Sequence, residues 1–232
     1  MSPSFSCLIP FYNEAEKALG VLKVLSKIKK FDQIIAIDDG SDDNAGQKIK
    51  QNFPKVKLVK LKNNQGKSAA VAAGLKHVKS EFVLLFDADV NNIKPREIRR
   101  ALKKITDPKI DMVILKKVEP NPDYMITNKL SVYSRISCVF SGERVLKTTD
   151  LKKVLSQKLN GYQLESAINQ YMIDQNKIAK WVKSSIRHPY AFSEGGMKLV
   201  AKKYSAMALQ IIQGVGVANF IEQLATFCTQ EA

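Results

Sequence analysis

The run Phe82-Val83-Leu84-Leu85-Phe86, closed by Asp87-Ala88-Asp89, constrains this chain more than any other segment. Five apolar residues without alternation predict a strand buried on both faces, as a parallel sheet covered by helices requires. In open sheets of that kind ligands bind in the crevice beyond the carboxyl ends of the strands. Two carboxylates spaced i and i+2 at such an end can share one divalent cation if the chain bends after the strand. A hard cation held this way suits a diphosphate and neutralises charge on it as it leaves. An Asp-x-Asp spacing alone is a weak signal; here its weight comes from three further segments that also close strands.

Those segments emerge from a pass along the chain. Ser6 to Ile9 predicts a first strand stopped by Pro10, and Glu14 to Ile28 a helix with Leu19, Leu22, Leu25 and Ile28 on one face. Ile34 to Ile37 predicts a second buried strand ended by Asp38-Asp39-Gly40-Ser41, followed by a short helix over Asp43 to Asn52. Val56 to Leu61 alternates lysine with apolar residues as a third strand. Gly66 to Val78 is an alanine-rich helix, Pro95 opens another at its first turn, and Met112 to Leu115 is a fifth strand. Strands alternating with helices predict an α/β fold with a mostly parallel sheet flanked by helices. After Lys116 the pattern changes. Tyr124 to Phe140 reads as helical, Ser141-Gly142-Glu143-Arg144 as a turn, Thr149 to Leu155 and Gln163 to Asp174 as helices, and Trp181-Val182 as a short strand. A helical C-terminal extension begins after Gly195-Gly196. The partition is one continuous domain over 1–232, with a nucleotide-handling half over 1–117, an acceptor-handling part over 118–197 and a helical segment over 198–232.

Composition narrows the partners. With 45% hydrophobic residues in 232, the chain can build a substantial core. A formal net charge of +15 attracts phosphorylated substrates, anionic lipid heads or nucleic acid. No Arg-rich arm and no interleaving of basic and aromatic residues supports nucleic acid, which is set aside. Cys7, Cys138 and Cys228 form neither a disulfide framework nor a zinc spacing, which suits a reducing cytoplasm. The start, Met1-Ser2-Pro3-Ser4-Phe5, has no basic-then-apolar leader. The uncharged stretch Tyr204 to Ile221 carries Gln210, Gln213, Gly214, Gly216 and Asn219, too polar for a span. It suits either peripheral contact at the inner face of a membrane or packing against a second copy in a homodimer.

Together, Ile9-Pro10-Phe11-Tyr12-Asn13-Glu14, Asp38-Asp39-Gly40-Ser41, Asn63-Asn64-Gln65-Gly66-Lys67 and Asp87-Ala88-Asp89 resemble the family 2 glycosyltransferases of the GT-A fold, in order and in spacing. The stretch from Ser141-Gly142-Glu143-Arg144 to Gly161-Tyr162-Gln163-Leu164-Glu165 is similar, less specifically, to the polyprenyl- and dolichyl-phosphate sugar transferases. The resemblance implies a metal-dependent, inverting transfer from a UDP or GDP sugar, with Mg²⁺ or Mn²⁺ as cofactor. The acceptor it implies is a polyprenyl phosphate or another phosphorylated molecule.

By the same resemblance, Pro10 and Tyr12 wall the nucleotide pocket, and Asp38 and Asp39 accept hydrogen bonds from base or ribose, the alternative being plain Asp-Gly turn chemistry. Glu14 is either an organiser of the ribose and phosphate site or a first-turn carboxylate favoured by the helix dipole. Lys67 falls near the base or diphosphate, and a lysine at a helix start runs against the dipole, which favours a ligand-facing role. Asp87, Ala88 and Asp89 meet the donor. Asp87 and Asp89 hold the cation, with Asn91 and His188 as further ligand candidates whose alternatives are a turn residue and a structural histidine. Asp89, Arg144 and Glu165 are the catalytic candidates. Arg144 either clamps an acceptor phosphate or makes a surface ion pair. Glu165 is either a general base, needed only for a hydroxyl acceptor, or a helix-pairing residue. Lys198 is placed near the diphosphate, although Met197 stands where many relatives have Ser or Thr.

Competing motifs fail on spacing. Gly66-Lys67-Ser68 is not a phosphate-binding P-loop, because Leu61 stands where its first glycine belongs. Val90-Asn91-Asn92 replaces the continuation that a haloacid-dehalogenase phosphatase needs after Asp87-Ala88-Asp89. A nucleotidyltransferase would carry a glycine-rich loop where Pro10-Phe11-Tyr12-Asn13 stands. The remaining rival is an inactive GT-A domain serving as a binding or assembly module.

Overall fold

A computed structural model describes residues 2–117, 139–156, 163–187, 206 and 208–228. Its elements in chain order are β1 (Phe5–Phe11), α1 (Ala15–Leu25), β2 (Gln33–Asp38), α2 (Ala45–Asn52), β3 (Lys57–Lys60), α3 (Lys67–Leu75) and β4 (Phe82–Leu85). There follow α4 (Pro95–Lys104), β5 (Met112–Lys117), β6 (Arg144–Lys147), α5 (Thr148–Leu155), α6 (Gln163–Asp174), β7 (Ala179–Ser184) and α7 (Val217–Cys228). The seven strands form one sheet in the order β3-β2-β1-β4-β6-β5-β7. Every pairing is parallel except those of β6, which runs antiparallel to both β4 and β5.

Both faces of the sheet are covered, as the unbroken apolar strands require. Cys7 and Ile9 of β1 join Leu22 and Leu25 of α1 and Ile98 of α4 on one side. Leu8, one residue out of phase, joins Val71 of α3 and Ile168 of α6 on the other. All four residues of β4 are buried. At the edge, β3 exposes Lys57 and Lys60 around half-buried Leu58 and Val59, a charge pattern that blunts edge-to-edge pairing.

Two elements differ from the sequence reading. Pro10 does not stop β1 but lies inside it, opposite Ile37. Leu8 accepts from the Phe86 N–H, so Pro10, two residues on, turns its missing donor to the side where β4 has already ended. The turn expected at Ser141–Arg144 gives way at Arg144 to the inserted strand β6. Short and led by a charged residue, β6 carries little periodic signal. The helix expected over Tyr124 to Phe140 lies outside the described residues apart from its last two positions.

The C-terminal helices dock on α6. Phe140 and Phe220 stack at 5.8 Å with an interplanar angle of 5°, and buried Gln223 donates to Gln170 Oε1 at 3.0 Å. Among the described residues no helix is long and apolar enough to cross a membrane.

Candidate active site

The loops that follow β1, β2 and β4 converge at one end of the sheet, and short hydrogen bonds lock them together. Asn13, at φ 52°, donates its N–H to Ser41 Oγ at 2.9 Å and accepts from the Asp42 N–H at 3.1 Å. Asp43 caps α1 from across the crevice by accepting the Ala15 N–H at 2.8 Å. Glu14, which precedes that helix, instead pairs with Lys17 at 2.8 Å. Gly40 has φ +82°, and a Cβ there would lie 2.5 Å from the Asn63 carbonyl carbon, so the loop after β2 and the 63–66 segment meet backbone to backbone.

The two aspartates at the end of β2 part company. Asp38 is fully buried; its Oδ1 accepts the Ser41 N–H at 2.7 Å, and its Oδ2 lies 3.4 Å from Lys60 Nζ. Asp39 turns the other way and accepts the N–H groups of Gln65 at 2.9 Å and Gly66 at 2.8 Å. It thereby fixes the start of α3, whose first residue is Lys67.

Lys67 is the hub of the site. Its Nζ donates to Asp87 Oδ1 at 2.5 Å and to Glu165 Oε1 at 2.7 Å, the second partner 98 positions away in sequence, and so joins the end of β4 to α6. Burial works against the ammonium, but the Asp87 and Glu165 carboxylates outweigh it and hold Lys67 protonated well above the ordinary lysine range. Asp87 is confined on its other side by Gly142, where a Cβ would fall 2.2 Å from Asp87 Oδ2. A side chain at 142 would displace that carboxylate, so Gly142→Ala is expected to lower stability by about 1–3 kcal/mol. Denaturant unfolding checks it. Nothing local in the sequence marks Gly142, because only the tertiary approach of the 141–143 turn gives it a role.

Arg144 corrects an expectation. It is fully buried rather than facing an acceptor phosphate or the surface. Its Nε and Nη2 donate to the Ser141 carbonyl, Nη2 to the Val139 carbonyl at 3.1 Å, and Nη1 to Asn169 Oδ1 at 2.8 Å and, at 3.4 Å, to the Glu165 carbonyl. The guanidinium ties the turn beside Asp87 to the helix that carries Glu165. Its geometry is that of a brace.

The other predicted residues fall as follows. Pro10 is half-buried, Tyr12 is 44% exposed, and Asp89 is half-buried beside Asp87 in sequence. Ala88 turns its methyl into the core between the two aspartates. The Asn91 side chain is exposed, while its backbone pairs with Arg187 through N–H···O bonds of 2.8 and 3.2 Å. This bridge sets Arg187 alongside the Asp-x-Asp turn. Buried Glu97 of α4 holds that approach, accepting the Ser185 N–H at 2.8 Å and its hydroxyl at 2.9 Å. His188 and Lys198 lie outside the described residues. Among the described residues no group of three or more acidic, histidine or cysteine side chains gathers as a preformed metal cage. Asp87 and Asp89 are hard oxygen donors at one strand end, a donor set that suits a hard divalent cation such as Mg²⁺ or Mn²⁺.

This fold and this cluster define a sugar-transferase class. Residues 6–169 match the Glycosyl transferase family 2 model, and the chain belongs to that family. An uncharacterized protein of Methanocaldococcus jannaschii is 32% identical over 114 residues, covering 46% of this chain and 48% of that protein. An undecaprenyl-phosphate 4-deoxy-4-formamido-L-arabinose transferase of Edwardsiella ictaluri is 33% identical over 116 residues, covering 47% of this chain and 35% of the relative. The matched region thus spans half or less of these curated relatives. Among solved structures, glucosyl-3-phosphoglycerate synthase from Mycobacterium tuberculosis in complex with phosphoglyceric acid aligns with a TM-score of 0.68 at 18% identity, covering 98% of this chain and 82% of that one. The same enzyme with Mn²⁺, UDP and glucosyl-3-phosphoglycerate aligns with a TM-score of 0.67 at 16% identity, covering the same shares. At these identities the structural likeness speaks for the fold.

Proposed function

We propose that the protein is an inverting glycosyltransferase that moves a sugar from a nucleoside-diphosphate sugar to a phosphorylated acceptor, with Mg²⁺ or Mn²⁺ held by Asp87 and Asp89. The observation that carries this reading is the Lys67–Asp87–Glu165 cluster at the carboxyl end of β4, where one ammonium joins two carboxylates from distant segments. The cation, when bound, supplies charge stabilisation to the leaving diphosphate. Lys67 adds a positive charge for the same group, and Asp39 keeps Lys67 in place by fixing the loop before α3. The acceptor oxygen attacks the anomeric carbon from the face opposite the diphosphate, whose oxygen departs with the bonding pair. Glu165 takes the acceptor proton at a carboxylate oxygen.

The reading assigns the nucleotide half to 1–117, the acceptor half to 118–197 and a C-terminal helical segment to 198–232. The net charge of +15 favours a phosphorylated acceptor, as do the names of the relatives, one acting on undecaprenyl phosphate and another solved with phosphoglyceric acid. Arg144 contributes no phosphate contact to this reading.

The test is calorimetric titration of UDP and of GDP, with Mn²⁺ and with chelator, on the wild-type protein and on Asp89→Ala. One of the two nucleotides is expected to bind with Mn²⁺ and to lose at least about tenfold in affinity with chelator or with the substitution. A folded protein that binds neither nucleotide would overturn the reading and leave an inactive binding module as its successor.

A further inference from the structure

We propose that Lys67 is a stand-in cation: in the donor-free protein it occupies the carboxylates that the divalent ion and the acceptor use, and it yields them when a diphosphate arrives. The proposal rests on the reading of Asp87 as a metal ligand and adds to it an order of events. Lys67 Nζ lies 2.5 Å from Asp87 Oδ1 and 2.7 Å from Glu165 Oε1. Asp87 already fills the space a Cβ at Gly142 would take, its Oδ2 lying 2.2 Å from that position, so the carboxylate is packed against this glycine while it holds Lys67. A divalent ion arriving alone therefore meets a carboxylate neutralised by a tethered ammonium.

An incoming diphosphate changes the balance. It offers Lys67 a new anionic partner, and as the ammonium turns toward it, Asp87 is released for the ion and Glu165 for the acceptor. Two carboxylates held by one lysine are thus released by a single movement. Ion and nucleotide bind with a coupling that exceeds their direct contact, and each strengthens the other by the same factor. The device keeps Asp87 from capturing ions without donor and keeps Glu165 paired with Lys67 until a donor is present.

The test measures Mn²⁺ binding without nucleotide, from the electron paramagnetic resonance signal of free Mn²⁺. Wild type, Lys67→Met, Lys67→Gln, Lys67→Arg and Lys60→Met are compared. Lys60 is a charge control, since its ammonium contacts the Ser41 carbonyl and Asp38. Both neutral variants at 67 should bind Mn²⁺ at least about tenfold tighter than wild type, while Lys67→Arg and Lys60→Met stay within about threefold. Added UDP should tighten Mn²⁺ binding less in the neutral variants than in wild type. The proposal is overturned if Mn²⁺ affinity in Lys67→Met and Lys67→Gln is unchanged or weaker, or if Lys60→Met tightens it equally. Its failure is separable from that of the donor reading: a wild type that binds UDP with Mn²⁺ keeps the glycosyltransferase assignment whatever the lysine variants do.

Discussion

Replacing Arg144 with methionine is expected to lower stability by about 3–5 kcal/mol and the Tm by about 10 °C. The side chain is fully buried, and its donors serve the carbonyls of Val139, Ser141 and Glu165 and the amide oxygen of Asn169. Methionine fills a similar volume, so the loss comes chiefly from the Ser141 carbonyl and Asn169 Oδ1 losing their guanidinium donors, the Val139 carbonyl keeping Asn169 Nδ2 at 3.0 Å, rather than from a cavity. Denaturant unfolding measures it, with Lys147→Met as reference, because Lys147 meets Asp111 only at 3.3 Å and half-exposed. A midpoint within the error of wild type would show that the carbonyls find other donors and that the brace is dispensable. The functional consequence is separate from the energy. The 141–143 turn that Arg144 secures is the wall against Asp87, so surviving Arg144→Met protein should bind nucleotide with weaker metal dependence than wild type.

The same residue marks where the sequence stops being readable. Ser141-Gly142-Glu143-Arg144 has turn chemistry on its face, and nothing local distinguishes a surface arginine from one enclosed by carbonyls of its own turn and of α6. Strand β6 is hidden for a related reason: Arg144-Val145-Leu146-Lys147 is short and charged at both ends, and only insertion between β4 and β5 makes it a strand. The parallel strands were legible because burial on both faces writes an unbroken apolar run, as in Phe82 to Leu85. The candidate site was half legible. Asp87 announces itself by position after such a run, and Lys67 by its place at a helix start. Their meeting with Glu165 has no local signature, since α6 approaches β4 only through the packed sheet. Pro10 shows the opposite error, a strong local breaker tolerated because its neighbour strand had already ended.

Glu165→Gln is expected to reduce the rate of transfer by about 10²–10⁴-fold and to move the nucleotide affinity by less than about threefold. The two effects separate because glutamine preserves size and one acceptor oxygen but cannot take a proton from a hydroxyl. Glu165 is well placed to do so: it is only 6% exposed, and Lys67 holds its Oε1 at 2.7 Å while also touching Asp87. Glu165 therefore lies one side chain away from Asp87 at the end of β4. Single-turnover transfer from the nucleotide sugar identified by titration gives the chemical step, and calorimetry on the same sample gives the affinity. The outcome also reads the acceptor. A nucleophilic hydroxyl on a phosphorylated molecule needs a base and should show the full loss. A phosphate oxygen is already anionic and needs none, so a loss below about tenfold would assign the attack to phosphate and reduce Glu165 to a partner of Lys67. We expect the full loss, because a nearly buried carboxylate beside the anionic leaving group would repel a phosphate nucleophile, whereas it takes up a hydroxyl proton with no such penalty.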